Sequence, residues 1–268
     1  MAEEKKGIVA GIGKAVTGAA DLAGDCAKLA KEAIGGQPTK DTRNEMFKKI
    51  CAIIPNQINN QTVLNVLDMM RKEQKLLMKN FESHLKTNEA NIKKHADSMK
   101  KANGYVEDQN AWTDVAYGDA TMQYSGCEIF ATYNAIYNIT GKHDIPLQDM
   151  ISHYEKDGMV LSGKFGTAPK AIKDFLDKQG YKTEMAHEEA DFEPLAKKCK
   201  TMIMTMYNNK DDISKEVHTV NISKENGKYT AHNVYCNGKV VGPADSLTEL
   251  MKSVNGGKAK IISLIGIL

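Results

Sequence analysis

Gln123-Tyr124-Ser125-Gly126-Cys127-Glu128-Ile129-Phe130-Ala131-Thr132-Tyr133-Asn134 is the stretch of this chain whose reading decides the fold. Residues from Glu128 to Ile139 form a helical run that stops ahead of Gly141, which sets Cys127 in the first turn of a helix. A thiol there has its thiolate stabilised by the helix dipole and by backbone N–H groups without intrahelical partners, so its pKa falls and it becomes nucleophilic near neutral pH. Gly126 lets a substrate backbone approach closely. The Cys127 N–H can donate to a developing oxyanion, and Gln123 is the candidate second donor.

Downstream of this helix the texture is mixed. Lys170 to Lys178, stopped by Gly180, and Leu247 to Val254, ahead of Gly256-Gly257, read as helices. Thr201 to Tyr207, Val217 to Ser223, Lys228 to Tyr235 and Lys260 to Ile267 have the apolar or alternating pattern of strands, and Glu225-Asn226-Gly227 is a hairpin turn. The expected class is α+β, an antiparallel sheet against helices. A base for the thiol must come from this sheet. His218 opens one strand, and the hairpin brings Asn233 back beside it as the group that orients the ring, so Cys127, His218, Asn233 and Gln123 form the candidate catalytic set. His232 competes with His218, but alternation along a strand turns His232 and Asn233 to opposite faces. His84, His95, His143, His153 and His187 sit in polar surroundings and read as solvated surface.

These residues resemble the papain-like cysteine peptidases of the double-glycine leader (bacteriocin-processing) type and their bacterial relatives. Gly126-Cys127-Glu128 with Ala131 and Asn134 looks like their nucleophile helix. Gly163-Lys-Phe-Gly166-Thr-Ala-Pro169 through Gly180-Tyr181 is similar to their Gly-Thr-x-Pro loop, helix and Gly-Tyr exit, and the histidine strand and following Asp or Asn correspond to His218 and Asn233. The resemblance covers roughly residues 110 to 268. It implies a papain-like domain that cleaves peptide or isopeptide bonds through a Cys127 thioester, with no cofactor, no metal and a peptide or protein substrate. The same fold also serves deamidases, transglutaminases and acyltransferases, including secreted effectors or toxins, and non-catalytic peptide-binding modules. Gln123 stands closer to the cysteine than the family's oxyanion glutamine does, so the resemblance offers Gln109 or Asn110 as the alternative donor. Glu128 occupies a position where many members have glycine, and its carboxylate raises the thiol pKa.

Upstream, residues 1 to 105 carry 18 Lys+Arg against 12 Asp+Glu, whereas 106 to 268 carry 18 against 22, a contrast that separates two modules. All 18 basic residues of the second module are lysines, which leaves it no guanidinium fork for phosphates and argues against nucleic acid as a ligand. Residues 1–38 read as a glycine-rich amphipathic segment, with weak membrane contact by 7–36 as one use and packing on neighbours as the other. Residues 39–105 read as a helical hairpin or coiled-coil-like module for partner binding or self-association, with a helix from about Thr42 to Ile54 and a long one from Asn59 to Ala102. Residues 106–268 form the peptidase-like domain. The five cysteines are odd in number, widely spaced and without zinc-site spacing, so reduced thiols are expected, with Cys26, Cys51, Cys199 and Cys236 as small buried apolar residues. No secretory leader is legible, so the expected location is the cytoplasm, or outside by a route that needs no signal peptide.

Overall fold

The structure, a computed structural model, describes residues 21–35, 49, 59–211 and 216–268. Apart from Lys49, the expected helix at 42–54, Cys51 with it, lies outside the described residues, as do residues 1–20 and 36–38 of the amphipathic segment. The class is α+β, built on a six-stranded antiparallel sheet. Its strands are β1 (Thr183–Ala186), β2 (Thr201–Tyr207), β3 (Val217–Glu225), β4 (Lys228–His232), β5 (Val241–Ala244) and β6 (Lys260–Ile267), in the spatial order β1-β6-β2-β3-β4-β5. Central β2 is buried along its whole length, because both faces of the sheet are covered. Ile203 and Tyr207 point to one core, while Met202, Met204 and Met206, joined by Val220 and Ile222 of β3, point to the other.

Across β2 and β3 on the first face lies the long central helix α4 (Cys127–Thr140), apolar enough on all sides to be buried from Cys127 to Ile136. It stops where Gly141 takes a left-handed conformation (φ 67°) and bonds back to the Tyr137 carbonyl. Helices α5 (Leu147–Asp157) and α6 (Pro169–Lys178, with Pro169 pre-setting its first turn) pack beside α4. The second face is covered by α7 (Glu189–Lys198) and α8 (Leu247–Ser253), through Phe192, Leu195, Leu247 and Leu250.

The expected single helix from Asn59 to Ala102 is three: α1 (Asn60–Leu77), α2 (Leu85–Lys94) and α3 (Ala96–Lys101). The break at 78–84 has a cause in the fold. The Ser83 hydroxyl (2.8 Å) and His84 N–H (3.0 Å) both donate to the buried carboxylate of Glu155 on α5, and a continuous helix offers neither group there. Val63, Leu67, Met70 and Ile92 do not form a seam of their own. They join Trp112, Phe130, Ile136, Leu147 and Phe175 in one core, so the described part of the 39–105 module is packed onto the half that carries Cys127 rather than set apart from it. Residues 21–32 are helical and bury Cys26 and Leu29 in the same core.

The solvated reading of the histidines does not hold for four of them. His84 bonds Glu155 at 2.6 Å, His95 stacks on Trp112, His143 lies against Tyr133 and Tyr137, and His153 lies against Phe175. Polar sequence neighbours do not report what a ring meets in space. No helix among the described residues is long and apolar enough to cross a membrane.

Candidate active site

A cavity of about 400 Å³ lies at the N-terminal end of α4, bordered by Cys127, Glu128, His218, Gln109, Gln123 and Cys236. Leu67 of α1 and Phe165 supply apolar wall, so the N-terminal helices take part in shaping it.

Local sequence delivers Cys127 to this place. Met122–Ser125 makes one short turn of helix, capped by the Thr121 hydroxyl, and the chain re-aims at Gly126 before α4 begins. Glycine is required there: a Cβ on Gly126 would stand 2.5 Å from the Met122 carbonyl oxygen and 2.7 Å from its Cε. The Cys127 thiol donates to the Glu128 carboxylate over 3.3 Å. That carboxylate is buried, takes a weak bond from the Thr219 hydroxyl (3.5 Å), and is covered by the Gly166-Thr167 turn. Gly166 has φ 72°, and a Cβ on it would sit 2.7 Å from the carboxylate. The two sequence motifs Gly126-Cys127-Glu128 and Gly166-Thr167-Ala168-Pro169 therefore interlock around Glu128. Burial pushes the Glu128 pKa above the usual carboxylate range, opposed by backbone N–H groups, by the Cys127 thiol and by the charge of His218.

His218 sits at the start of β3, only 8% exposed. Its Nε2–H donates to the backbone carbonyl of Asn233 at 2.8 Å, and the Cys236 sulfur lies 3.8 Å from the same nitrogen. A carbonyl accepts only, so Nε2 carries the proton and the neutral ring has its lone pair on Nδ1. Burial lowers the His218 pKa, but the Cys236 sulfur, the Asn233 carbonyl and the Glu128 charge outweigh it and the net shift is upward.

Asn233 meets the ring differently from the expectation. Strand β4 ends at His232 rather than at Tyr235, and the ladder pairs His232 with Asn221, so the register does not bring Asn233 opposite His218. Asn233 instead turns left-handed (φ 59°) and swings its carbonyl back to the imidazole. Its side-chain amide faces away, donating to Gln109 Oε1 (2.9 Å) and accepting from the Gln109 N–H (3.3 Å). Gln109, 3% exposed, in turn donates to the Gln123 carbonyl at 3.0 Å, so it ties the loop ahead of Cys127 to the loop after β4. Gln123 itself is exposed at the cavity rim.

His232 does not border the cavity. Its Nδ1 bonds Glu107 at 2.5 Å, the Ser223 hydroxyl lies 2.8 Å from its Nε2, and Tyr105 stacks on its face. Cys26 and Cys199 are buried thiols, each pushed up to about 11 mainly by burial. Cys236 departs from the buried-apolar reading: it is half-buried beside His218. Sequence reasoning also missed Glu107. The clue available for both residues was nearness in sequence to residues already singled out, Asn233 and Gln109.

Among the described residues no group of three His, Cys, Asp or Glu side chains is arranged to hold a metal ion. No protein-family model, no curated protein and no solved structure matches the chain.

Proposed function

We propose that this chain is a papain-like cysteine peptidase that hydrolyses peptide or isopeptide bonds, with Cys127 as nucleophile and His218 as base. One observation carries the reading: a single cavity is bordered both by a thiol at the start of a 14-residue helix and by an imidazole whose protonated nitrogen is tied down by a backbone carbonyl. The tautomer leaves the Nδ1 lone pair to take the thiol proton. The central helix laid across an antiparallel sheet, and the chain order of helix-start cysteine, Gly-Thr-x-Pro loop, histidine strand and asparagine, support the papain-like assignment.

In the proposed reaction Cys127 loses its proton to His218 and the sulfur attacks the substrate carbonyl. The Cys127 N–H, in the first turn of α4, is the proposed donor to the developing oxyanion. Collapse breaks the C–N bond, and the imidazolium returns the proton to the leaving amine. Water, deprotonated by His218, then cleaves the thioester, which releases the carboxylic acid and restores the thiol. Asn233 contributes its carbonyl to the His218 ring, and Gln109 holds the Asn233 side chain.

The test is incubation with a cysteine-directed electrophile and with a peptide pool, read by intact mass and product mass, wild type beside Cys127→Ala. A single adduct on Cys127 and cleaved peptides absent from the variant are the expected result. Products in which an added amine replaces water would reassign the chain to acyl transfer. An inert Cys127 with no cleavage would reassign it to peptide binding.

A further inference from the structure

Glu107 is a buried carboxylate, 7% exposed, that does not itself border the cavity yet holds the loop that reaches it. One carboxylate oxygen accepts from the Asn233 N–H at 2.6 Å, and the other bonds His232 Nδ1 at 2.5 Å. Its backbone carbonyl accepts from the Gly238 N–H at 2.9 Å, and three residues on, the Asn110 N–H donates to the Cys236 carbonyl at 3.1 Å. Residues 107–110 thus clamp both ends of the 233–238 loop, whose first residue supplies the acceptor for His218.

We propose that Glu107 is a positioning residue for His218: by holding the Asn233 N–H it keeps Asn233 left-handed and its carbonyl aimed at His218 Nε2. Left-handed backbone strains a non-glycine residue, and asparagine is among the residues that tolerate it best. Without the carboxylate, the Asn233 N–H is buried without an acceptor and the residue relaxes toward extended backbone, which turns its carbonyl off the ring. The imidazole then loses the bond that fixes its proton on Nε2. His232, packed under Tyr105 and joined to Ser223, keeps the Glu107 carboxylate from rotating away. The inference takes the base role of His218 from the proposed function, but it is read at the ring itself, so it stands or falls separately from turnover.

The experiment is a two-bond proton–nitrogen spectrum of the imidazoles in 15N-histidine-labelled full-length protein, with His218 assigned by its loss in His218→Gln. Wild type is expected to give the Nε2–H pattern for His218. Glu107→Leu is expected to lose that pattern as the dominant form and to shift the His218 titration midpoint downward, because the Asn233 carbonyl no longer favours the protonated ring. Glu107→Gln, whose amide oxygen can still accept from Asn233, is expected to restore the wild-type pattern. With a cleavable peptide in hand, Glu107→Leu lowers kcat per folded molecule, counted by titrating the reactive Cys127 thiol, and leaves KM in place; that normalisation removes the loss a smaller folded fraction would cause. If Glu107→Leu does not fold, Glu107→Asp, one methylene shorter, is read in the same way. A folded Glu107→Leu or Glu107→Asp with an unchanged His218 tautomer and midpoint overturns the proposal. So does a wild-type Asn233 amide that exchanges as fast as an exposed one, a measurement that needs no variant.

Discussion

His218 and His232 ride on the same β3–β4 hairpin and are almost equally buried, 8% and 6% exposed, yet the fold uses them in opposite ways. Both nitrogens of His232 are taken up within the protein, by Glu107 and Ser223. His218 has one nitrogen tied to a carbonyl, while its Nδ1 makes no hydrogen bond among the described residues, at the edge of a cavity it shares with a thiol. Burial and hydrogen-bond richness therefore do not distinguish the proposed base from its neighbour. A fixed tautomer with a lone pair left over beside open space does.

The sharpest way to break this comparison is to remove each ring in turn. His218→Ala should abolish peptide cleavage, a loss of at least about 100-fold for a missing general base, while the melting temperature changes little beside the effect on rate. His232→Gln should do the reverse. It disrupts a buried, charge-assisted network and should cost roughly 2–3 kcal/mol in denaturant unfolding, with turnover per folded molecule within about tenfold of wild type. If His232→Gln silences peptide cleavage and His218→Ala does not, the proposed roles are exchanged.

The contrast also separates what the sequence discloses from what it conceals. The helix start at Cys127, the glycine before it and the strand that opens at His218 are local features, set by propensity and by residues within one turn, and the fold keeps them. The role of Asn233 is not local. A strand continued to Tyr235 satisfies the apolar pattern of 228–235, whereas the acceptor that meets the N–H of left-handed Asn233 belongs to Glu107, distant in sequence. The break between α1 and α2 was concealed in the same way, because the acceptor that Ser83 and His84 satisfy belongs to Glu155. Helix α7 carries Pro194 in its interior, which hides it from a propensity reading.

Asn233 sharpens the comparison at smaller amplitude. Since the backbone carbonyl, not the side chain, meets His218, Asn233→Gly should keep most of the turnover, within about tenfold: glycine takes φ 59° without strain and still offers the carbonyl. Asn233→Ala should fare worse than Asn233→Gly, because alanine resists that φ at a cost of about 1 kcal/mol. Cleavage rates and melting curves of the pair decide between them. A Gly variant as dead as His218→Ala would return the orienting role to the side-chain amide.

The smallest effect expected concerns Glu128, the carboxylate that receives the Cys127 thiol and lies within the electrostatic reach of His218. Its folded pKa is raised, chiefly by burial, so between the ordinary carboxylate value and the raised one the folded protein holds a proton that the unfolded chain has released. Stability from this group is therefore present at low pH and is lost as pH rises through that window, the opposite of a salt-bridged carboxylate. Glu128→Gln removes the titration. Its stability relative to wild type should climb as pH rises from about 4 and level off above the raised pKa, in parallel denaturant titrations. The same substitution takes a negative charge away from the sulfur, which favours the thiolate, so iodoacetamide should alkylate Cys127 several-fold faster near neutral pH, with modification mapped by peptide mass. Slower alkylation in Glu128→Gln would mean that the carboxylate accepts the thiol proton and shares the work of the base with His218.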